Sequence, residues 1–104
     1  MLHLLAFHYL PGRIPTGPQA RAHADFLQHH HDTGVLLLSG QCVPAGAGGA
    51  LVAYGITREQ AEQLAATDPL VTAGVAEYQL TTVIPSLVAG ALASFLDPDR
   101  ATSE

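Results

Sequence analysis

The sequence contains no lysine, and its four basic residues, Arg13, Arg21, Arg58 and Arg100, are dispersed along the chain. No basic stripe exists that could track a phosphate backbone. With a formal net charge of -5, the surface is also too acidic for a typical nucleic-acid binder. Charged residues make up only 12% of the chain against 48% hydrophobic, too apolar for a disordered acidic tail. A lone cysteine, Cys42, excludes an intrachain disulfide and fits a reducing compartment. Long apolar runs are missing too. The uncharged stretch "TTVIPSLVAGALASFL" (Thr81 to Leu96) is broken by Pro85 and is shorter than the about 20 residues a spanning helix needs. The start, "MLHLLAFHYLPGR", has no positive charge ahead of its apolar run and no convincing cleavage site, so it does not read as a signal peptide. The expected location is the cytoplasm, with neither membrane nor nucleic acid as a partner.

What is present is one domain's worth of chain, 104 residues, enough for a single core. Residues Leu2 to Leu10 are dense in Leu, Phe and Tyr and stop at "PGRIPTGP", a strand followed by a loop. Thr16 and Gln19 have capping-box spacing, which predicts a helix from about Pro18 to Thr33, ended by Gly34. His23, Phe26, Leu27 and His30 share one face of that helix. "VLLLSGQCV" (Val35 to Val43) and "LVAYGI" (Leu51 to Ile56) read as an antiparallel pair joined by the glycine-rich "PAGAGGA". Thr57 and Gln60 repeat the capping box, and Ala61, Leu64, Ala65 and Asp68 form the inward stripe of a helix that Pro69 ends. "GVAEYQLTTVI" is the fourth strand; a C-terminal helix near Ser86 to Leu96 and a flexible tail over 97–104 follow.

This β-α-β-β-α-β order plus a final helix is the α+β ferredoxin-like plan, an antiparallel sheet with helices on one face, here a single domain over residues 1–96. The plan leaves one face bare. The first two strands are apolar at odd and even positions alike, so both faces call for cover, and a homodimer packing sheet on sheet supplies it.

In such a topology the end of strand one, the start of helix one, the end of strand two and the end of helix two meet at one edge. His23, Ser39, Gly40 and Asp68 therefore converge. A carboxylate beside an imidazole fixes its tautomer and raises its basicity, which makes a general base. Asp68 is otherwise awkward, because a carboxylate at a helix C-terminus faces the negative end of the dipole. A second explanation needs no chemistry: an Asp-Pro that stops one helix and accepts hydrogen bonds from the turn that follows. For His23 the bland alternative is a core histidine bonded to backbone, and for Ser39 a packing choice. Arg21 is a candidate for an anionic substrate group, although its angle on the helix differs from that of His23 and a solvated arginine fits equally. The His29-His30-His31 triplet is not a metal site on one helix, because adjacent residues diverge by about 100°. Asp25, His29 and Asp32 share a face but supply no enforced geometry. Cys42 reads as a buried, inert thiol. "GAGG" (Gly46 to Gly49) precedes a strand, not a helix, so it is a hairpin loop rather than a phosphate cradle.

Up to the fourth strand the sequence resembles the YciI-like (YCII-related) family. The family's helix-one histidine falls on His23, its strand-ending small residue and glycine on Ser39-Gly40, and its Asp-Pro on Asp68-Pro69, followed by the "AGV" of Ala73 to Val75. The resemblance implies a dimeric α+β barrel related to muconolactone isomerase, a His and Asp active-site pair, and chemistry such as dehydrochlorination of a chlorinated hydroxyhydroquinone. No cofactor is implied, and the expected ligand is a small molecule. Departures from the family pattern are Ala20 in place of an arginine, with Arg21 one residue nearer His23, Leu70 in place of an aromatic, and Gln41 in place of a proline. The competing functional reading is a metabolite-binding or interaction module that uses the same pocket without catalysis.

Overall fold

The computed structural model describes residues 1–96; the expected tail lies outside the described residues. Eight elements follow in order: β1 (Leu2–Tyr9), α1 (Gly17–Asp32), β2 (Leu36–Gln41), β3 (Gly49–Tyr54), α2 (Arg58–Thr67), α3 (Pro69–Thr72), β4 (Ala76–Val83) and α4 (Gly90–Leu96). Both capping boxes form. Thr16 Oγ1 accepts from the Gln19 amide at 3.2 Å while Gln19 Oε1 accepts from the Thr16 amide at 2.9 Å, and Thr57 with Gln60 does the same at 3.1 and 2.9 Å. Each box satisfies two donors that a helix start leaves open. The boxes thereby set where α1 and α2 begin and how each enters the sheet.

The four strands lie in the order β2-β3-β1-β4, all neighbours antiparallel, which is the ferredoxin-like arrangement. Side-chain alternation along β1 sends His3, Leu5 and Phe7 under the helices. Leu5, Leu36, Leu51, Ala53 and Leu64 form the main core cluster, and Phe7, Leu70, Val75 and Ala76 a second beneath α3. A bulge between Leu36 and Leu38 resets the alternation of β2. As a result Ser39, opposite Leu51, faces the helices, and Leu38, opposite Val52, faces away.

Several boundaries differ from the sequence-based expectation. The strand expected from Leu51 begins at Gly49, whose amide region pairs with both Phe7 and Gln41. A Cβ on Gly49 would lie 2.4 Å from the Phe7 ring, so absence of a side chain is what lets the strand start there. Pro69 does not lead straight to a strand, because it opens the short helix α3 at a position where its missing amide costs nothing. The last helix starts at Gly90 rather than near Ser86, with the Ala89 carbonyl accepting from Leu92 and Ala93. The face of the sheet away from the helices is largely apolar over β1 to β3, with Leu4 43% and Leu38 56% exposed, but β1 ends there on His8, which pairs with Glu77 at 2.9 Å, and β4 also presents Gln79 and Thr81. Among the described residues no helix is long and apolar enough to cross a membrane.

Candidate active site

Asp68 is wholly buried. It is the C-cap of α2 and the N-cap of α3 together, which accounts for an acid at the end of a helix: the carboxylate serves the positive end of the next one. Oδ1 accepts from the Leu70 amide at 2.9 Å. The same oxygen accepts from Nδ1 of His23, also at 2.9 Å. Oδ2 accepts from the Tyr78 hydroxyl at 2.5 Å. Burial pushes the carboxyl upward, yet the bonds from His23, Tyr78 and Leu70 outweigh it and hold the group below the usual range of an aspartate. Tyr78 is driven the other way, by burial first and then by its bond to the carboxylate, so its phenol stays protonated and remains a donor.

With Nδ1–H donated to an ionised carboxylate, the lone pair of neutral His23 resides on Nε2. Among the described residues no hydrogen bond engages Nε2, while every buried side-chain nitrogen or oxygen has a partner. That nitrogen is therefore not sealed off. His23 is 14% exposed and lines a cavity of about 420 Å³, within the range of small-molecule sites. The Phe7 ring of β1 meets the His23 imidazole edge to face at 5.2 Å and the Tyr78 ring at 5.4 Å, so β1 packs directly against the histidine.

The topology brings His23, Ser39 and Gly40 to this one cavity, with Asp68 directly behind His23. It does not bring Arg21, which is exposed and absent from the cavity wall. Ala20, one residue earlier, does line it and adds an apolar methyl to the wall. The glycine loop contributes Gly46 and Gly48. A Cβ on Gly48, which has φ 118, would lie 2.0 Å from the Phe7 carbonyl, so this approach of the loop to β1 requires glycine. Cys42 is half-buried rather than buried. A larger hollow of about 630 Å³, between α4 and the far end of β3, has no carboxylate, imidazole or thiol on its wall.

Tyr78 and His3 were not singled out from sequence, and His31 was weighed only within the histidine triplet. Tyr78 lies between outward Glu77 and Gln79, so alternation places it inward, but nothing local ties its hydroxyl to Asp68. His31 Nε2 lies 2.8 Å from Ser39 Oγ. His3, fully buried, donates Nε2–H to the Ile56 carbonyl at 2.8 Å and pairs Nδ1 with Thr82 Oγ1 at 2.9 Å. Thr82 in turn accepts from Arg58 at 2.8 Å, so His3 belongs to a satisfied network at the other end of the sheet from His23.

The fold has a counterpart among solved structures. The 5-chloro-2-hydroxyhydroquinone dehydrochlorinase of Burkholderia phenoliruptrix, solved with 2,5-dihydroxybenzoquinone, is similar with a TM-score of 0.62. The match covers 83% of this chain and 96% of that one at 17% identity, a likeness of fold. No curated protein sequence matches. A family model for the YCII-related domain matches residues 1–84, a span that takes in His23, Ser39-Gly40 and Asp68-Pro69 and runs through all four strands of the sheet, so the chain belongs to the YCII-related domain family.

Proposed function

We propose that this protein is a small-molecule enzyme in which His23 removes a proton from a small cyclic or aromatic oxygenated metabolite, in a reaction of the lyase, isomerase or dehydrochlorinase type. The proton goes to Nε2, and the ionised Asp68 behind the ring balances the imidazolium that forms. Ser39 and the backbone at Gly40 receive the substrate oxygen on which the electron pair settles. Such a step calls on no cofactor. The observation that carries the reading is the 2.9 Å bond between His23 Nδ1 and the buried Asp68 at the wall of the cavity. A cavity of about 420 Å³ has room for a single ring, and the dehydrochlorinase of the same fold supports a phenolic or quinonoid substrate class.

Solvent deuterium exchange tests it. A panel of hydroxyquinols and cyclic lactones, incubated in heavy water, should include a compound that gains deuterium or loses chloride with the native protein and not with His23→Gln. A binder that neither exchanges nor turns over under any condition would leave the non-catalytic reading. That alternative draws on Asp68 itself, whose bonds to Leu70 and Tyr78 give it a structural purpose without chemistry. The same proposal includes a cytoplasmic homodimer, with the apolar part of the open sheet face as the contact, supported by the exposed Leu4 and Leu38.

A further inference from the structure

His23 and Asp68 account for one side of the cavity. On the other side stands Ser39, whose Oγ lies 2.8 Å from Nε2 of His31. The two are brought together because the bulge in β2 turns Ser39 toward the helices and because His31 is two turns beyond His23 on α1. We propose that His31 and Ser39 form the acid half of the site: a proton relay that supplies the substrate oxygen as His23 takes a proton from the substrate. This inference rests on the proton-abstraction reading and assigns the group that completes it.

The proton balance is as follows. In the imidazolium form His31 donates Nε2–H to Ser39 Oγ, and the serine hydroxyl is then free to point its own proton into the cavity. As the substrate bond to hydrogen breaks and its proton passes to His23 Nε2, the electron pair moves to the substrate oxygen. That oxygen takes the Ser39 proton, Ser39 takes the Nε2 proton of His31, and His31 is left neutral with Nδ1–H. As a cation, His31 stands in the last turn of α1, beside the partly negative helix end. Neither β2 nor α3, both packed against α1, carries a titratable side chain. The titratable groups beside His31 in the chain are His29, His30 and Asp32 on its own helix, Cys42 follows β2 in sequence, and Tyr9 and His23 are on the cavity wall; Asp32 accepts from Gln28 at 2.8 Å and is exposed.

The experiment is ring-nitrogen NMR of protein labelled with ¹⁵N-histidine, with 4-nitrophenolate as the probe and its absorbance reporting binding. In the native protein the probe should move the His31 ring nitrogens toward imidazolium as well as perturb His23. In Ser39→Ala the probe should bind about tenfold more weakly, as for loss of one hydrogen bond to a charged group, and at saturation should still perturb His23 but leave His31 unchanged. A structural role for the Ser39 to His31 bond would not couple the protonation of His31 to a ligand. Binding that perturbs His23 with His31 unmoved in the native protein overturns the relay and leaves the His23 site standing. A His31 response that persists unchanged in Ser39→Ala also overturns the relay. Absence of binding to the native protein overturns the site reading and the relay together.

Discussion

Replacement of Asp68 by asparagine isolates what the buried carboxylate does, because the side chain keeps its shape and loses its charge. In the native protein the carboxylate accepts from His23, Leu70 and Tyr78. Hydrogen bonds to a charged group contribute about 1.5–3 kcal/mol each. Asparagine with its oxygen in the place of Oδ1 keeps the bonds to Leu70 and His23 but without charge, and its amide group meets the Tyr78 hydroxyl, which must then accept instead of donate. We expect Asp68→Asn to cost about 2–4 kcal/mol at neutral pH, an estimate built on one or two lost charge-assisted bonds. Because the carboxyl lies below its ordinary value of 3.8 in the folded state, the unfolded chain binds more protons in acid. The stability it contributes is therefore complete above 3.8 and is lost as pH falls through the folded-state value. Urea unfolding at neutral pH and at the acid end of the native range should show the gap between native and variant narrowing with acid. In parallel, deuterium exchange into a substrate should slow by more than about tenfold, since no carboxylate charge then balances the imidazolium that forms on His23. A gap that is the same at both pH values, or an unchanged exchange rate, would refute the account of Asp68 as the ionised partner of His23.

Tyr78→Phe removes the donor to Oδ2 and preserves the packing against Phe7; a loss of about 1–3 kcal/mol is expected, read as a lower thermal midpoint, and no loss would mean that Oδ2 is satisfied another way. Gly49→Ala places a methyl 2.4 Å from the Phe7 ring and should destabilise by about 1–3 kcal/mol while weakening probe binding, since Phe7 also holds His23; a neutral result by denaturation would show that the ring yields freely. The protein should sediment as a dimer at micromolar concentration, and Leu38→Asp, at a 56% exposed position on the open face, should make it monomeric without lowering helix content. A native monomer would count against that face as the contact.

Much of this fold is written locally. The two capping boxes, Thr16 with Gln19 and Thr57 with Gln60, involve residues three apart, so they are legible wherever they occur and set the helix starts. Alternation in "AEYQLTTV" marks which side chains of β4 face inward, whereas "LHLLAFHY" is apolar on both faces and leaves its own facing to the packing, and the order of elements with short connections leaves few topologies. The topology in turn was enough to send His23, Ser39 and Asp68 to one edge. The Asp-Pro pair had two local readings, and the structure shows why both arose: Asp68 caps α3 and also reaches His23.

What sequence did not disclose depends on how far each helix is rotated over the sheet and on irregularities that no local rule places. The bulge at Leu36/Leu38 decides that Ser39 rather than Leu38 meets the helix, and with it the bond to His31. The hydroxyl of Tyr78 finds Asp68 only because β4 and the α2–α3 junction pack over the same patch. Arg21 is excluded from the cavity while Ala20, one residue earlier, lines it, because a single step around a helix is a turn of about 100°. Local chemistry specified the elements and their ends; the angles and registers that set which side chains touch are properties of the packed core, where every such choice is made jointly by residues distant in the chain.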